Sequence, residues 1–136
     1  MLHALDIGFF VFHSAVILIN LLGWIPRRTR RLHLAVLALT AFSWFALGPL
    51  LGYSIGYCFC TDWHWQVRRA LGHHDPASYI ELLFSVGGLG VSTGTAATLA
   101  YGGFGLALLG AVLVHARGMR ARLRLRRESA MPRQKV

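Results

Sequence analysis

The fold class follows from residues 9–31, FFVFHSAVILINLLGWIPRRTRR. The first part of this stretch is apolar on every side apart from His13 and Asn20, and Pro26 ends the helix because proline cannot continue the hydrogen-bond ladder. Two more apolar stretches follow, at about residues 32–51 and 93–115. Together with the first, at about 5–25, each approaches or exceeds the ~20 residues that a helix needs to cross a bilayer. The pattern predicts an all-α integral membrane protein with three transmembrane helices.

The composition excludes a soluble domain. The chain has 136 residues, of which 55% are hydrophobic and 14% charged, with a mean hydropathy of +0.52. Average soluble domains are ~25% charged. A soluble chain this short has too little polar surface to cover three apolar stretches.

The net charge of +9 is arranged around the spans. Four of the 14 Lys and Arg residues lie in the turn after the first span, eight follow the third span, and the other two are Arg68 and Arg69. Short cytoplasmic loops retain Lys and Arg, so the turn and the tail are predicted to be cytoplasmic and the N-terminus to lie outside, in a bacterial inner membrane. No nucleic-acid partner is expected. Lipid headgroups are the predicted contacts of Arg27, Arg28, Arg30 and Arg31.

The predicted layout is a membrane domain over residues 1–116, with an outer cap at 53–90, followed by a basic cytoplasmic tail at 117–136. In the cap, Thr61 or Asp62 is predicted to cap an interfacial helix that stops at Gly72. The predicted apolar face of that helix consists of Trp63, Val67, Ala70 and Leu71. A capping box from Ser78 to Glu81 predicts a second short helix that ends near Ser85.

Small residues recur along the third span. Gly103, Ala107 and Ala111 lie at i, i+4 spacing, which lets helix backbones approach closely in lipid. The pattern predicts a packing face for a partner helix, which is either one of the first two spans or part of another membrane protein subunit.

Side chains that can react or bind a metal are most concentrated at residues 58–65, CFCTDWHW. Two cysteines on an oxidising face favour a disulfide, and a Cys-x-Cys bridge is strained and readily reduced. Two buried, inert thiols are the structural alternative. A third interpretation is a zinc or copper site whose ligands are Cys58, Cys60, Asp62 and His64.

His13 lies near the middle of the first span, where an ionisable residue is a functional candidate. It could bind haem or a chlorin, although His33 and His115 lie at a different depth from the one a second haem ligand would need. The structural alternative is a histidine hydrogen-bonded within the bundle. No catalytic motif is present, so no enzyme activity is predicted.

Five blocks of sequence carry a family resemblance: residues 27–34, 41–45, 56–58, 61–67 and 78–81. With its Cys-x-Cys-Thr-Asp-Trp-His-Trp-Gln block, the chain resembles a bacterial family of small inner-membrane proteins known only as a domain of unknown function. The resemblance covers roughly residues 5–84 and implies a helical membrane protein without implying an activity.

The favoured functional hypothesis is a non-catalytic accessory subunit of a larger membrane complex, respiratory or photosynthetic, without a cofactor of its own. The alternative is a redox-active or metal-binding membrane protein that uses residues 58–64. A haem or pigment binder through His13 is the weakest of the three hypotheses.

Overall fold

The computed structural model describes residues 1–56 and 58–130, and within its last helix the side chains up to Arg120 together with those of Leu123, Arg124 and Arg126. Five helices follow in chain order: α1 (Leu2–Leu22), α2 (Arg30–Leu50), α3 (Phe59–Ala70), α4 (Tyr79–Val86) and α5 (Thr93–Ala130). No strand occurs over these ranges. The predicted all-α class is confirmed.

Three of the helices are long and apolar enough to cross a membrane: Leu2–Leu22, Arg30–Leu50 and Thr93–Arg120. The first begins and ends about three residues earlier than predicted. The helix ends before Pro26, and two side chains donate hydrogen bonds to the backbone carbonyls of the turn that follows. Thr29 Oγ1 donates to the Gly23 carbonyl at 2.8 Å, and Arg30 Nε donates to the Trp24 carbonyl at 3.2 Å.

α2 contains a π-helical turn at Ser43–Leu47, directly before Gly48 and Pro49. Proline has no N–H to donate and its ring crowds the preceding turn. The helix widens by about one residue per turn at this point and continues to Leu50, so α2 accommodates Gly48-Pro49 with a π turn and without a break.

The cap helix α3 starts earlier than predicted. Cys58 is its N-cap, with an extended backbone at φ −121° and ψ 116°, so Thr61 and Asp62 already lie inside the first turn. The predicted stop is correct, because Gly72 follows the helix with φ +78°, a conformation that side chains disfavour. The buried side chains of α3 are Cys60 and His64, whereas Trp63, on the predicted apolar face, is 55% exposed. Contact of that face with the membrane interface stays a prediction.

α4 forms as the capping box predicts. The Glu81 N–H donates to Ser78 Oγ at 3.3 Å, and the Glu81 carboxylate accepts from the Ala77 N–H at 3.0 Å. α5 continues beyond the third span without a break to Ala130, across the predicted boundary between residues 116 and 117. The last part of the predicted tail, 131–136, lies outside the described residues.

α1 packs against each of the other four helices. Its inner half, residues 15–22, packs against α2 and α5, and its outer half, residues 2–14, packs against α3 and α4. Thr61 lies against His13, whereas His64 lies against Asp6, so α3 runs antiparallel to α1.

The small-residue stripe of α5 faces the interior of this chain. A side chain at Gly103 would meet Leu21 at 3.3 Å, and Ala107 and Ala111 are buried in a cluster with Leu37. The predicted partner helices are therefore α1 and α2. Gly110, about one turn after Ala107, lies against the Trp24 ring, where an added Cβ atom would approach the ring carbons to 2.6 Å.

Candidate functional site

The site lies between the outer half of α1 and the two cap helices. Cys58, as the N-cap of α3, lies at the helix end where backbone N–H groups point outward and favour a negative charge. The Cys60 thiol and the His13 imidazole are the neighbouring side chains that act on its ionisation. Both cysteines are free thiols, Cys60 buried and Cys58 half-buried.

These surroundings separate the two thiols electrostatically. The hydrogen bond from the Cys60 thiol, followed by that from His13 and the charge of His13, lowers the pKa of Cys58 to about 4, against the opposing effect of burial. The same hydrogen bond, together with burial, raises the pKa of Cys60. The two shifts have opposite directions, so Cys58 is the thiol of the pair that ionises first.

Tyr79, the first residue of α4, holds the His13 ring in place. The two rings are stacked, with centroids 3.9 Å apart and planes 4° from parallel. The Tyr79 hydroxyl donates to the Phe10 carbonyl at 2.7 Å and accepts from the Ser14 hydroxyl at 2.8 Å. Burial raises the pKa of Tyr79, so this hydroxyl remains a donor. His13 Nδ1 lies 3.5 Å from the Thr61 hydroxyl oxygen Oγ1.

A second polar cluster lies nearer the start of α1. His64 Nε2 donates to the Asp6 carboxylate at 2.7 Å, and Arg68 Nη1 lies 3.5 Å from the same oxygen. His64 is completely buried and stacks against Phe9 at 5.7 Å. In the described part of the chain, neither His64 Nδ1 nor Arg68 Nε has a hydrogen-bond partner.

The four residues predicted to bind metal are not brought together. Cys58 and Cys60 meet each other, but Asp62 accepts a hydrogen bond from Gln66 and His64 turns to Asp6. Within residues 1–56 and 58–130, no group of three or more His, Cys, Asp or Glu side chains could hold a metal ion. On α3, Asp62 lies on the side of the helix opposite Cys60, and His64, which shares the buried face with Cys60, turns to Asp6 instead.

His13 is not paired with a second histidine. His33 is buried and hydrogen-bonded through Nε2 to the Asn20 carbonyl at 3.1 Å, and His115 is exposed. Asn20 is seven residues from His13 along α1, which is about 10 Å at 1.5 Å per residue. The structure therefore places His13 in the thiol cluster; haem or chlorin binding stays a prediction.

In the basic turn, Arg27, Arg28 and Arg31 are exposed, and Arg30 donates to the Trp24 and Ile25 carbonyls. The side chains of three of the four arginines that are predicted to contact lipid headgroups are thus exposed. Arg30 instead helps to close the turn between α1 and α2.

Sequence reasoning did not identify Asp6, Thr61, Arg68 and Tyr79 as site residues. One signal was available: Asp6 and His13 are seven residues apart, which puts them on one face of α1. Tyr79 gave no such signal, because it comes to His13 only through the packing of α4, 66 positions along the chain.

Comparison with known proteins adds one finding. A family model described as "Protein of Unknown function (DUF2784)" matches residues 3–116. No curated protein and no solved structure matches the chain.

Proposed function

The chain belongs to this family of proteins of unknown function, DUF2784, and from the geometry around Cys58 we propose that it is a membrane protein that exchanges disulfides through Cys58 and Cys60. Family membership confirms the resemblance found in the sequence and carries no activity with it. The proposal comes from the thiol cluster alone, and it develops the redox interpretation of residues 58–64.

The position of Cys58 at the N-terminus of α3, with Cys60 and His13 as the neighbours that lower its pKa, is the observation that supports the proposal. A thiolate, and not a thiol, is the nucleophile in disulfide exchange, and reactive cysteines lie at helix N-termini beside a histidine or another polarising group. Cys58 has both surroundings. Cys60 lies two positions further along the chain and has a raised pKa, so it is the second thiol that closes or opens the intramolecular disulfide.

The surroundings favour an oxidising direction. A Cys-x-Cys disulfide closes a small, strained ring, and a stabilised thiolate favours the reduced form, so both effects make the disulfide a ready oxidant. Substrate is a protein dithiol. Its first thiolate attacks Cys58 Sγ, the bond between the two sulfurs breaks, and Cys60 takes up a proton. Its second thiolate then attacks the mixed disulfide and releases Cys58 as a thiolate, which leaves the substrate oxidised by two electrons.

His13 and Tyr79 have supporting roles in this exchange. His13 stabilises the thiolate by a hydrogen bond and by charge, and Tyr79 fixes the plane of the imidazole. By the charge rule the site is on the non-cytoplasmic side of a bacterial inner membrane, where protein disulfides form.

The proposal is tested by equilibrating the purified protein in mild detergent with reduced and oxidised glutathione. Acid quenching, alkylation and intact mass then give the fraction of Cys58–Cys60 disulfide at each glutathione ratio. We expect a reduction potential closer to those of oxidising dithiol proteins, about −120 to −180 mV, than to that of thioredoxin, about −270 mV.

Single-cysteine variants are the matched controls. Cys60→Ser should accumulate a mixed disulfide with glutathione on Cys58, whereas Cys58→Ser should remain unmodified. Failure of the wild-type protein to form an intramolecular disulfide at any glutathione ratio would refute the proposal.

The accessory-subunit hypothesis stays a prediction, but one of its supports is now accounted for within the chain. The stripe of Gly103, Ala107 and Ala111 packs against α1 and α2 and offers no free face to another subunit. Co-purification in mild detergent remains its direct test.

A further inference from the structure

The end of α5 beyond the third span carries two parallel stripes, one apolar and one basic, away from the thiol cluster. The apolar stripe has i, i+3, i+7 spacing, and the basic stripe lies one residue further on: Ala116, Met119 and Leu123, with Arg117, Arg120 and Arg124. We infer that this 116–124 surface docks an amphipathic helix of another protein, whose apolar face is edged by Asp and Glu. The inference goes beyond disulfide exchange and does not depend on it.

The 116–124 surface lies past the hydrocarbon core. At about 1.5 Å per residue, α5 rises about 33 Å from Thr93 to His115, which covers a core of about 30 Å. Leu123 lies about 12 Å further along the same helix. A helix that lies along the membrane surface has to turn where the span ends, but α5 continues without a break to Ala130. The surface therefore projects from the membrane, on the side predicted to be cytoplasmic.

The apolar stripe faces away from the rest of the chain. At 3.6 residues per turn it lies on the opposite side of α5 from Ala107, which is buried against α2. Met119 and Leu123 are 63% and 53% exposed. Leu109 and Val112 continue the stripe into the span, where lipid can cover them. Beyond the span no lipid tails cover the stripe, and exposed apolar side chains aligned on one helix face indicate a site for a partner helix.

The basic stripe determines the charge of that partner. Arg117, Arg120 and Arg124 are exposed, and like charges at i, i+4 repel one another along a helix. No Asp or Glu occurs between Glu81 and Glu128, so a second copy packed along the same stripe would bring no carboxylate to these arginines and would add repulsion. A helix with Asp and Glu beside its apolar positions complements both stripes at once.

Fluorescence anisotropy with a defined peptide tests this inference. The full chain is placed in discs of neutral lipid and titrated with a labelled helical peptide that has Leu at i, i+3, i+7 and i+10 and Glu at the flanking positions. We expect saturable binding of one peptide per chain. A peptide of the same composition in scrambled order, and one with Lys in place of Glu, should each bind at least about tenfold more weakly.

Two variants locate the binding surface. Leu123→Ser interrupts the apolar stripe, and the double variant Arg120→Gln, Arg124→Gln removes charge from the basic stripe; each should weaken peptide binding at least about tenfold. The control is Gly118→Ala, on the opposite side of the same turn of α5 with nothing within 4 Å of an added Cβ atom, and it should bind as the wild type does. All three variants should keep the wild-type rate of Cys58 alkylation, which reports that the chain is folded.

Three outcomes would overturn the inference. Equal binding of the scrambled peptide would show that charge alone attracts it. A dimer in native mass spectrometry that dissociates in Leu123→Ser would assign the 116–124 surface to a second copy of the chain. Peptide binding that disappears in discs of anionic lipid would assign the arginines to lipid headgroups.

Discussion

The two halves of α1 lie in opposite kinds of surroundings. The inner half meets α2 and α5 through small and apolar side chains, and Asn20 Nδ2 donates to Thr40 Oγ1 at 3.0 Å. The outer half meets α3 and α4 through Asp6, His13 and Ser14, each of which bonds or stacks with a polar or aromatic side chain. The inner half is built for packing, whereas the outer half holds the chemistry.

This difference indicates where changes should affect reactivity and where they should affect stability alone. A substitution in the inner half removes or crowds van der Waals contacts, so it should leave the Cys58 thiol unchanged. A substitution in the outer half alters hydrogen bonds around Cys58 or Asp6, so it should change chemistry as well as stability.

The largest expected effect is that of Cys58→Ser. With no thiolate in the cluster, exchange with glutathione disulfide should fall by at least 100-fold, since Cys60 is buried and its burial raises the pKa of its thiol, which makes it a poor nucleophile. The measurement is the initial rate of mixed-disulfide formation, followed by mass spectrometry. Thr95→Ser, at the start of α5, is a control for handling and should react as the wild type does; a residual rate above a tenth of wild type would contradict the assignment of Cys58.

Asp6→Ala should cost the outer half about 1–3 kcal/mol in free energy of unfolding, because it leaves the completely buried His64 without its only hydrogen-bond partner in the described chain. The comparison variant is Asp62→Ala, which loses only an exposed bond to Gln66 and should stay within about 0.5 kcal/mol of wild type. Denaturant titration in mixed micelles gives both values. Equal losses of unfolding free energy in the two variants would show that the buried Asp6–His64 bond contributes no more to stability than the exposed Asp62–Gln66 bond.

Gly110→Ala tests the inner half. The added methyl would meet the Trp24 ring at 2.6 Å, so the helices must shift, at a cost of about 1–2 kcal/mol. Gly105→Ala, on the same helix with open space around it, should be neutral or should stabilise the helix by a few tenths to about 1 kcal/mol. Neither variant should change the rate at which Cys58 is alkylated; a changed rate would break the division between the two halves.

Tyr79→Phe should destabilise the protein less than Asp6→Ala or Gly110→Ala, by about 0.5–1.5 kcal/mol for the lost hydroxyl bonds, and it keeps the ring against His13. Tyr79→Leu removes the ring as well, so His13 is less well held and the pKa of Cys58 should rise. The alkylation rate of Cys58 at pH 5, relative to that at pH 8, separates the two variants. An identical ratio in both would show that the stacked ring does not position His13.

The sequence predicts the inner half well because its signals are local. The apolar lengths, the arginines after Pro26 and the spacing of Gly103, Ala107 and Ala111 each act within one or two turns of helix. The outer half depends on contacts between distant residues, such as Asp6 with His64 and His13 with Tyr79. No local pattern specifies them, which is why the metal interpretation grouped Asp62 and His64 with the cysteines, although Asp62 lies on the opposite side of α3 from Cys60 and His64 bonds to Asp6.

The start of α3 shows the same limit on a smaller scale. Thr61 and Asp62 are good N-cap residues, yet Cys58 takes that position, because the cap is fixed by the packing of α3 against α1 rather than by propensity. The shift of one turn is what brings Cys58 to the helix end and next to His13.

The pH dependence of Cys58 alkylation tests the account most directly. Iodoacetamide labelling of the wild-type protein, with the modified cysteine located by fragment-ion mass spectrometry, gives a rate at each pH. Because the pKa of Cys58 is lowered to about 4, the thiolate is already formed at pH 6, so the rate should be flat from pH 6 to pH 9 and should fall only as the pH approaches 4. A rate that instead rises through about pH 8.5, as for an ordinary thiol, would contradict the account.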